Sequence, residues 1–312
     1  MKEYYLSYYP KFSCIAGDCK HTCCAGWEIQ IDQNSLDRYI KEQSDFGKVL
    51  KEGINFKKSQ FKRDKNKRCA LLNDKGLCEL ITNLGEASLC QVCKDHPRFR
   101  SFFSDRTEVG LGFCCEQATR IILSYKDKIT PILSVEDQSQ QDLSFLEKSV
   151  LSFREKVLLI IQDKSLSIEQ IVDKLLQQNN VSLAKNYFSK TIKTFLSFEK
   201  IDRSWTAKLN QIKKAKMPFT FLEKHHQVFE NFLTNEVYRH VSCAEDVSEA
   251  IIKLVGIVIC AKVVSAMINL KEQEDSDTFE DIVEIVRQYS AEVEYSEKNL
   301  NKLFKFASKI IE

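Results

Sequence analysis

The chain has 312 residues, 43% of them hydrophobic and 29% charged, and a formal net charge of +2. These values describe a folded protein of about two domains, and a balance so near zero makes no statement about partners. Only 9 glycines and 4 prolines exclude a loop-rich or low-complexity chain and favour helix.

There are twelve cysteines, ten of them between Cys14 and Cys115. The start MKEYYLSYYP has no apolar stretch resembling a secretory signal. The thiols are therefore expected to stay reduced in the cytoplasm and to hold metal rather than form disulfides.

In chain order, residues 14–32 read CIAGDCKHTCCAGWEIQID and put Cys14, Cys19, Cys23 and Cys24 into eleven residues. Thiolates are the ligands that zinc and iron–sulfur clusters select. Gly17 and Gly26 give a chelating loop the freedom to fold around one centre, and residues 27–31 alternate apolar and polar as a half-buried strand does. The competing reading is reduced, buried cysteine. Asn34 or Ser35 is expected to cap a short helix carrying Leu36, Tyr39 and Ile40. Residues 57–68 are strongly basic, and residues 1–130 carry 22 basic against 17 acidic side chains. The run reads as a solvated loop, and its aromatic interleaving is limited to Phe61, which argues against nucleic acid.

Residues 73–76, Asn-Asp-Lys-Gly, make a turn between two apolar runs edged by Cys69 and Cys78. Cys90 and Cys93 stand at the commonest chelating spacing. Pro97 stops any helix at His96. Residues 107–113 read as a strand running into Cys114 and Cys115, and Ala118, Ile121, Ile122 and Tyr125 have helical spacing. From about residue 140 the chain reads as helices: 145–161, one starting at the Ser167–Gln170 capping box, 183–198, 205–215, 219–241, 246–270, 278–289 and 298–311. The helix over 246–270 is apolar almost all round and should be the buried central one. Its most apolar window, 254–270, contains Lys262 and falls short of the ~20 residues a membrane span requires, so no membrane association is expected.

With the cysteines placed, the sequence resembles the flagellin lysine N-methylases (FliB-like proteins), whose N-terminal part resembles a wider group of zinc- or iron-chelating cysteine-cluster proteins. The resemblance rests on TCCAGWEIQID at 22–32, CALLNDKGLCELITNLGEASL at 69–89, CKDHPR at 93–98 and GFCCEQATRIIL at 112–123. It extends through FENFLTNEVYRH at 229–240 and VRQYSAEVEYS at 286–296, and so covers most of the chain. Carried over by position, the family's cysteines fall on Cys14, Cys19, Cys23, Cys24, Cys69, Cys78, Cys93 and Cys114, with Cys90 and Cys115 as extras. His21 replaces the acidic residue usual there, and Ala291 and Tyr295 stand where Arg and His are expected around Glu294.

The resemblance implies S-adenosylmethionine-dependent methylation of flagellin lysines with an iron–sulfur cluster in the enzyme. Eight thiolates exceed the four that one zinc or one [4Fe–4S] cluster takes, so a second centre, packing roles, or a cluster beside a zinc all stay open. Cys19, Cys23, Cys24 and Cys93 lead the ligand candidates. No Gly-rich nucleotide loop follows a strand, so the donor contacts proposed from sequence are Trp27, by cation–π attraction to the sulfonium, Arg98, by a bidentate pair with the donor carboxylate unless it hydrogen-bonds a cysteine sulfur instead, and Glu108, a carboxylate close to the motifs. Aromatics such as Tyr4, Tyr5, Tyr8, Tyr9, Phe99 and Phe113 line a channel or pack around the loop. His225, His226 and His240 read as surface or core histidines, and Cys243 and Cys260 as packing residues. The expected architecture is mainly α: a small α+β cysteine-rich metal-cluster module over residues 1–130, packed on an α-helical domain over 131–312. The competing function is a non-catalytic zinc- or iron-binding adaptor; an iron–sulfur electron carrier is a third reading.

Overall fold

In a computed structural model, which describes residues 2–136, 141–184, 187–216, 220–273 and 278–311, helices form where the apolar spacing places them. The first part contains β1 (Lys2–Leu6), α1 (Gln33–Lys41), α2 (Asp45–Glu52), β2 (Ile54–Asn55), β3 (Gln60–Phe61), α3 (Glu79–Leu84), α4 (Gln91–Asp95), β4 (Arg98–Phe102), β5 (Arg106–Leu111), α5 (Glu116–Leu123) and β6 (Pro131–Val135). Then follow α6 (Phe145–Ile161), α7 (Ile168–Gln178), α8 (Tyr187–Leu196), α9 (Arg203–Ala215), α10 (His226–His240), α11 (Val247–Gln273), α12 (Phe279–Tyr289) and α13 (Glu297–Ile310). Residue 219, where one helix is expected to begin, and residues 185 and 186 of the one expected over 183–198 lie outside the described residues. The first of these helices starts only at His226, after a 3-10 turn over Glu223–His225, and Leu183 bridges to Ile311 rather than joining α8.

The helix starts are chemically explicit. Ser167 and Gln170 form the reciprocal capping box of α7, and Ser144 with Glu147 and Thr278 with Asp281 do the same for α6 and α12, each satisfying amides that a helix N-terminus leaves unpaired. Glu147 also accepts from the Ser104 amide at 2.7 Å and from its hydroxyl. Burial pushes its carboxyl up, but the bonds from Ser144 and Ser104 outweigh this and hold it at about 2. A depressed carboxyl stabilises the fold fully above its unfolded value, 4.5, and that contribution disappears as the pH falls through 2. The stability gap between the wild type and Glu147→Gln should therefore shrink from pH 5 to pH 2; urea titrations across that range check it, and a gap independent of pH would refute it.

The chain divides into two units, Ser13–Arg98 and Met1–Phe12 with Phe99–Glu312. Residue 130 falls inside the second, because β1 from the chain start pairs in parallel with β5 and antiparallel with β6. The strand order is β4-β5-β1-β6. β1, β4 and β6 carry no period that the sequence reading picked out. Backbone approach is close at Gly110 in β5, where a Cβ would sit 2.4 Å from Phe99 Cζ and 2.9 Å from Leu6 Cδ1. Gly110→Ala should cost about 1–3 kcal/mol by overpacking, read as a lowered denaturation midpoint; an unchanged midpoint would mean that Phe99 swings aside freely.

In the larger unit α11 is the core. It is longer than the sequence reading allowed, 27 residues, and is long and apolar enough to cross a membrane. Its surface is instead covered by α6, α9, α10, α12 and α13, and residues from Leu254 to Met267 are almost all buried. Cys260 is buried within it as expected, whereas Cys243 is exposed and is not a packing residue.

In the smaller unit the alternation over 27–31 is expressed as burial without a strand. Ile29 and Ile31 are buried while Glu28 and Gln30 are exposed. Only isolated bridges form, Gln30 to Gln60 and Ala25 to Arg68, because the available partner, β3, is two residues long and already pairs with β2. The cap of α1 is Asp32, not Asn34 or Ser35: one oxygen accepts from the Ser35 amide at 2.9 Å and the other from the Gln91 amide at 2.8 Å, so one carboxylate fastens α1 to the start of α4.

Candidate functional site

Two chemically distinct groups of side chains stand out, one in each unit. In the smaller unit the turn over 73–76 forms as its residues predict: the Asn73 side chain accepts from the amides of Lys75 and Leu77, and Gly76 adopts φ +72°. Leu72 and Cys78 bridge across it. The hairpin brings Cys69 and Cys78 to the same apolar cluster as Cys24, Cys90 and Cys93. These five thiols lie close enough to act on one another electrostatically. Burial pushes Cys69 up to about 12, with Cys24, Cys78 and Cys90 adding to the effect. Burial likewise raises Cys78, and Cys93 is raised by its bond with Cys90 and by burial. Cys24 goes the other way, to about 7, because Cys23 donates a hydrogen bond to its sulfur.

Of the sequence candidates, then, Cys23, Cys24, Cys69, Cys78 and Cys93 come together with Cys90, which the family pattern had set aside as an extra. Cys14 is exposed, and its sulfur accepts from the Ala16 amide. The Cys19 sulfur donates to the His21 carbonyl at 3.3 Å. Cys114 belongs to the larger unit. None of the twelve cysteines is joined in a disulfide. The donor set, soft sulfur ligands converging from four stretches of sequence, fits zinc or an iron–sulfur cluster.

Trp27 is 36% exposed, donates from Nε1 to the Cys23 carbonyl at 2.7 Å and stacks on His96 at 6.5 Å between ring centroids. Arg98 donates to the Lys94 carbonyl at 3.0 Å. Both are in the smaller unit. Glu108, the third proposed donor contact, is in the larger one and is buried against Arg154, with oxygen–nitrogen distances of 2.5 and 2.9 Å. Both its oxygens are committed, so it is a structural ion pair and not a ligand contact. Tyr8, suggested for a channel wall, is fully buried and donates to Asn235 Oδ1 while accepting from the Leu111 amide.

The second group was not legible as a site. α10 buries polar residues on every side. Asn231 donates to the carbonyls of Ile122 and Tyr125 at the end of α5, and Asn235 donates to the carbonyl of Leu111. One turn further along, Glu236 and His240 share a face at i,i+4 spacing. α12 then runs into a turn of π-helix, Ser290–Glu294, closed by the Tyr295 amide on the Ser290 carbonyl. The extra residue in that turn re-aims the side chains. Glu292 accepts from the Ile201 and Asp202 amides, and Glu294 meets His240, with Oε1 2.8 Å from Nε2.

Arg239 Nε lies 3.2 Å from the same oxygen, and Tyr289 donates to Glu236 Oε2 at 2.8 Å. Glu236, His240 and Glu294 each offer a ligand atom within 4.8 Å of the others. Burial and the Glu294 charge push Glu236 well above the usual carboxylate range. Burial would raise Glu294 too, but Arg239 and His240 hold it below the usual range. His240 is lowered by burial, against the pull of Glu294. Such a group can share a proton, clamp a cation or pass a proton. The sequence signal was the Glu236–His240 spacing; Glu294 is 54 residues further on, and nothing local joins it to them.

A family model described as the FliB lysine N-methylase C-terminal domain matches residues 99–311, which include the whole of this second group. The Lysine-N-methylase of Salmonella typhimurium (strain LT2) is 25% identical over 125 residues, 38% of this chain and 31% of that protein. The Lysine-N-methylase of Salmonella choleraesuis is 25% identical over 124 residues, 37% of this chain and 31% of that protein. The Flagellar biosynthetic protein FliU of Salmonella muenchen is also 25% identical over 124 residues, 37% of this chain and 73% of that protein. The match thus spans under a third of the length of the two lysine N-methylases. No solved structure matches the chain.

Proposed function

The chain belongs to the FliB lysine N-methylase family, and from that premise we propose that it transfers methyl groups from S-adenosylmethionine to lysine side chains of flagellin, with an iron–sulfur cluster held by the thiols of the smaller unit. The observation that carries this reading is the family match over 99–311. The names of the relatives add lysine methylation, and that of FliU adds a flagellar connection.

The four ligands of the cluster are proposed to come from among Cys23, Cys24, Cys69, Cys78, Cys90 and Cys93. When bound, it would supply a rigid inorganic anchor for the loops around Trp27 and Arg98. Reduced thiols of this density suit the cytoplasm. Trp27 and Arg98 remain the proposed contacts for the sulfonium and carboxylate of the donor.

Transfer requires a neutral lysine amine, whereas a free lysine titrates near ~10.4. The substrate ammonium must therefore be desolvated or lose its proton to an acceptor. The amine lone pair then forms the N–C bond as the S–C bond of the sulfonium breaks. The thioether leaves neutral, and the methylated nitrogen releases a proton if it reacts again.

Incubating the whole chain with flagellin and methyl-labelled S-adenosylmethionine tests the reading. Label on flagellin lysines is expected. Donor and metal bound with no label transferred would replace it by a metal-binding adaptor.

A further inference from the structure

We infer that Glu236, His240 and Glu294 form a binding site for one divalent cation of the manganese, iron and zinc class, distinct from the thiol cluster of the smaller unit and independent of the methylation reading. The side chains of both glutamates have no exposed surface and His240 only 9%. As ionised carboxylates, Glu236 Oε1 and Glu294 Oε2 have no donor among the described residues. An unpaired anionic oxygen in a core is costly, and two beside each other are worse. Among the described residues Arg239 is the one permanent cation bonded to the pair, through Glu294 Oε1, so with both carboxylates ionised one negative charge would be left over.

The unused oxygens are also the ones left free by the surrounding bonds. Tyr289 holds Oε2 of Glu236, and Arg239 and His240 hold Oε1 of Glu294. Such bonds orient metal ligands before the ion arrives. In the empty site His240 Nε2 bonds Glu294 Oε1; with its proton on Nδ1, the ring gives up that bond and offers the Nε2 lone pair to the ion. One nitrogen and two carboxylates select manganese, iron or zinc over calcium and magnesium, which favour all-oxygen sites. Three protein ligands leave a position for water or a small ligand. The approach is by Arg239, whose side chain is 12% exposed, and Tyr295, which is 44% exposed and whose ring lies under the guanidinium at 4.8 Å.

Manganese(II) alone is the probe, because it prefers carboxylate and imidazole and leaves thiolates empty. Titrating the full chain, followed by electron paramagnetic resonance, should show one bound ion per chain with coupling to an imidazole nitrogen. That coupling should vanish in His240→Gln. Glu236→Gln keeps the bond to Tyr289 and removes a charge, so it should fold while losing at least about tenfold in affinity. Failure of the wild type to bind the ion would overturn the inference and leave the two carboxylates sharing a proton. Binding with unchanged affinity in Glu236→Gln, or with no nitrogen coupling, would overturn it equally, by placing the ion elsewhere.

Discussion

Replacing Arg154 by methionine should destabilise the larger unit by about 3–5 kcal/mol, the range for breaking one side of a buried ion pair. Its guanidinium bonds both oxygens of Glu108 and the Ser242 hydroxyl at 2.7 Å and lies 4.8 Å from the centre of the Tyr238 ring. The side chains of Arg154 and Glu108 are 5% and 3% exposed, so solvent cannot take over either charge. Methionine keeps most of the volume and leaves Glu108 ionised in the core. The double variant Arg154→Met with Glu108→Gln should recover most of the loss, since no charge is then stranded. Chemical denaturation of the three proteins measures this. A single-variant loss below about 1 kcal/mol, the value of an exposed pair, would show that Glu108 protonates or rehydrates without difficulty.

The second large effect concerns function. Cys69→Ala, made in the buried thiol of the smaller unit, should lower bound metal and methyl transfer together, by at least about a hundredfold if the cluster is required. Cys243→Ser changes an exposed thiol of the larger unit and should alter neither. Full transfer by a metal-free Cys69→Ala protein would separate the thiols from the reaction.

Much of this was legible in the chain, for local reasons. The Ser167–Gln170 box starts α7 where the sequence puts it, and the unbroken apolar surface of α11 forces it to the centre. The alternation at Ile29 and Ile31 correctly gave their burial, although the partner strand was too short for a ladder. The convergence of Cys24, Cys69, Cys78 and Cys93 follows from motif spacing and the turn at Gly76.

What was not legible depends on long-range pairing. β1 is set between β5 and β6, more than a hundred residues away, and its tyrosines resemble a channel lining as much as a strand. α10 offers no single apolar face to read because its polar side chains point in all directions; only its contacts with α5, β5 and the π-turn show that those side chains are buried partners. His240 reads as an ordinary surface or core histidine because it lies far in the sequence from the N-terminal cysteine motifs. Cys90 was discounted by comparison with the family pattern, whereas its buried position beside Cys93 places it among the candidate ligands.

The proposed function depends on thiols from separated stretches of the smaller unit holding an iron–sulfur centre. Purification under exclusion of oxygen, with iron and acid-labile sulfide quantified alongside the visible absorption spectrum, measures it directly. About four iron and four sulfide per chain with a broad charge-transfer band are expected, lost in Cys69→Ala. Zinc alone, with neither iron nor sulfide, would contradict the iron–sulfur assignment.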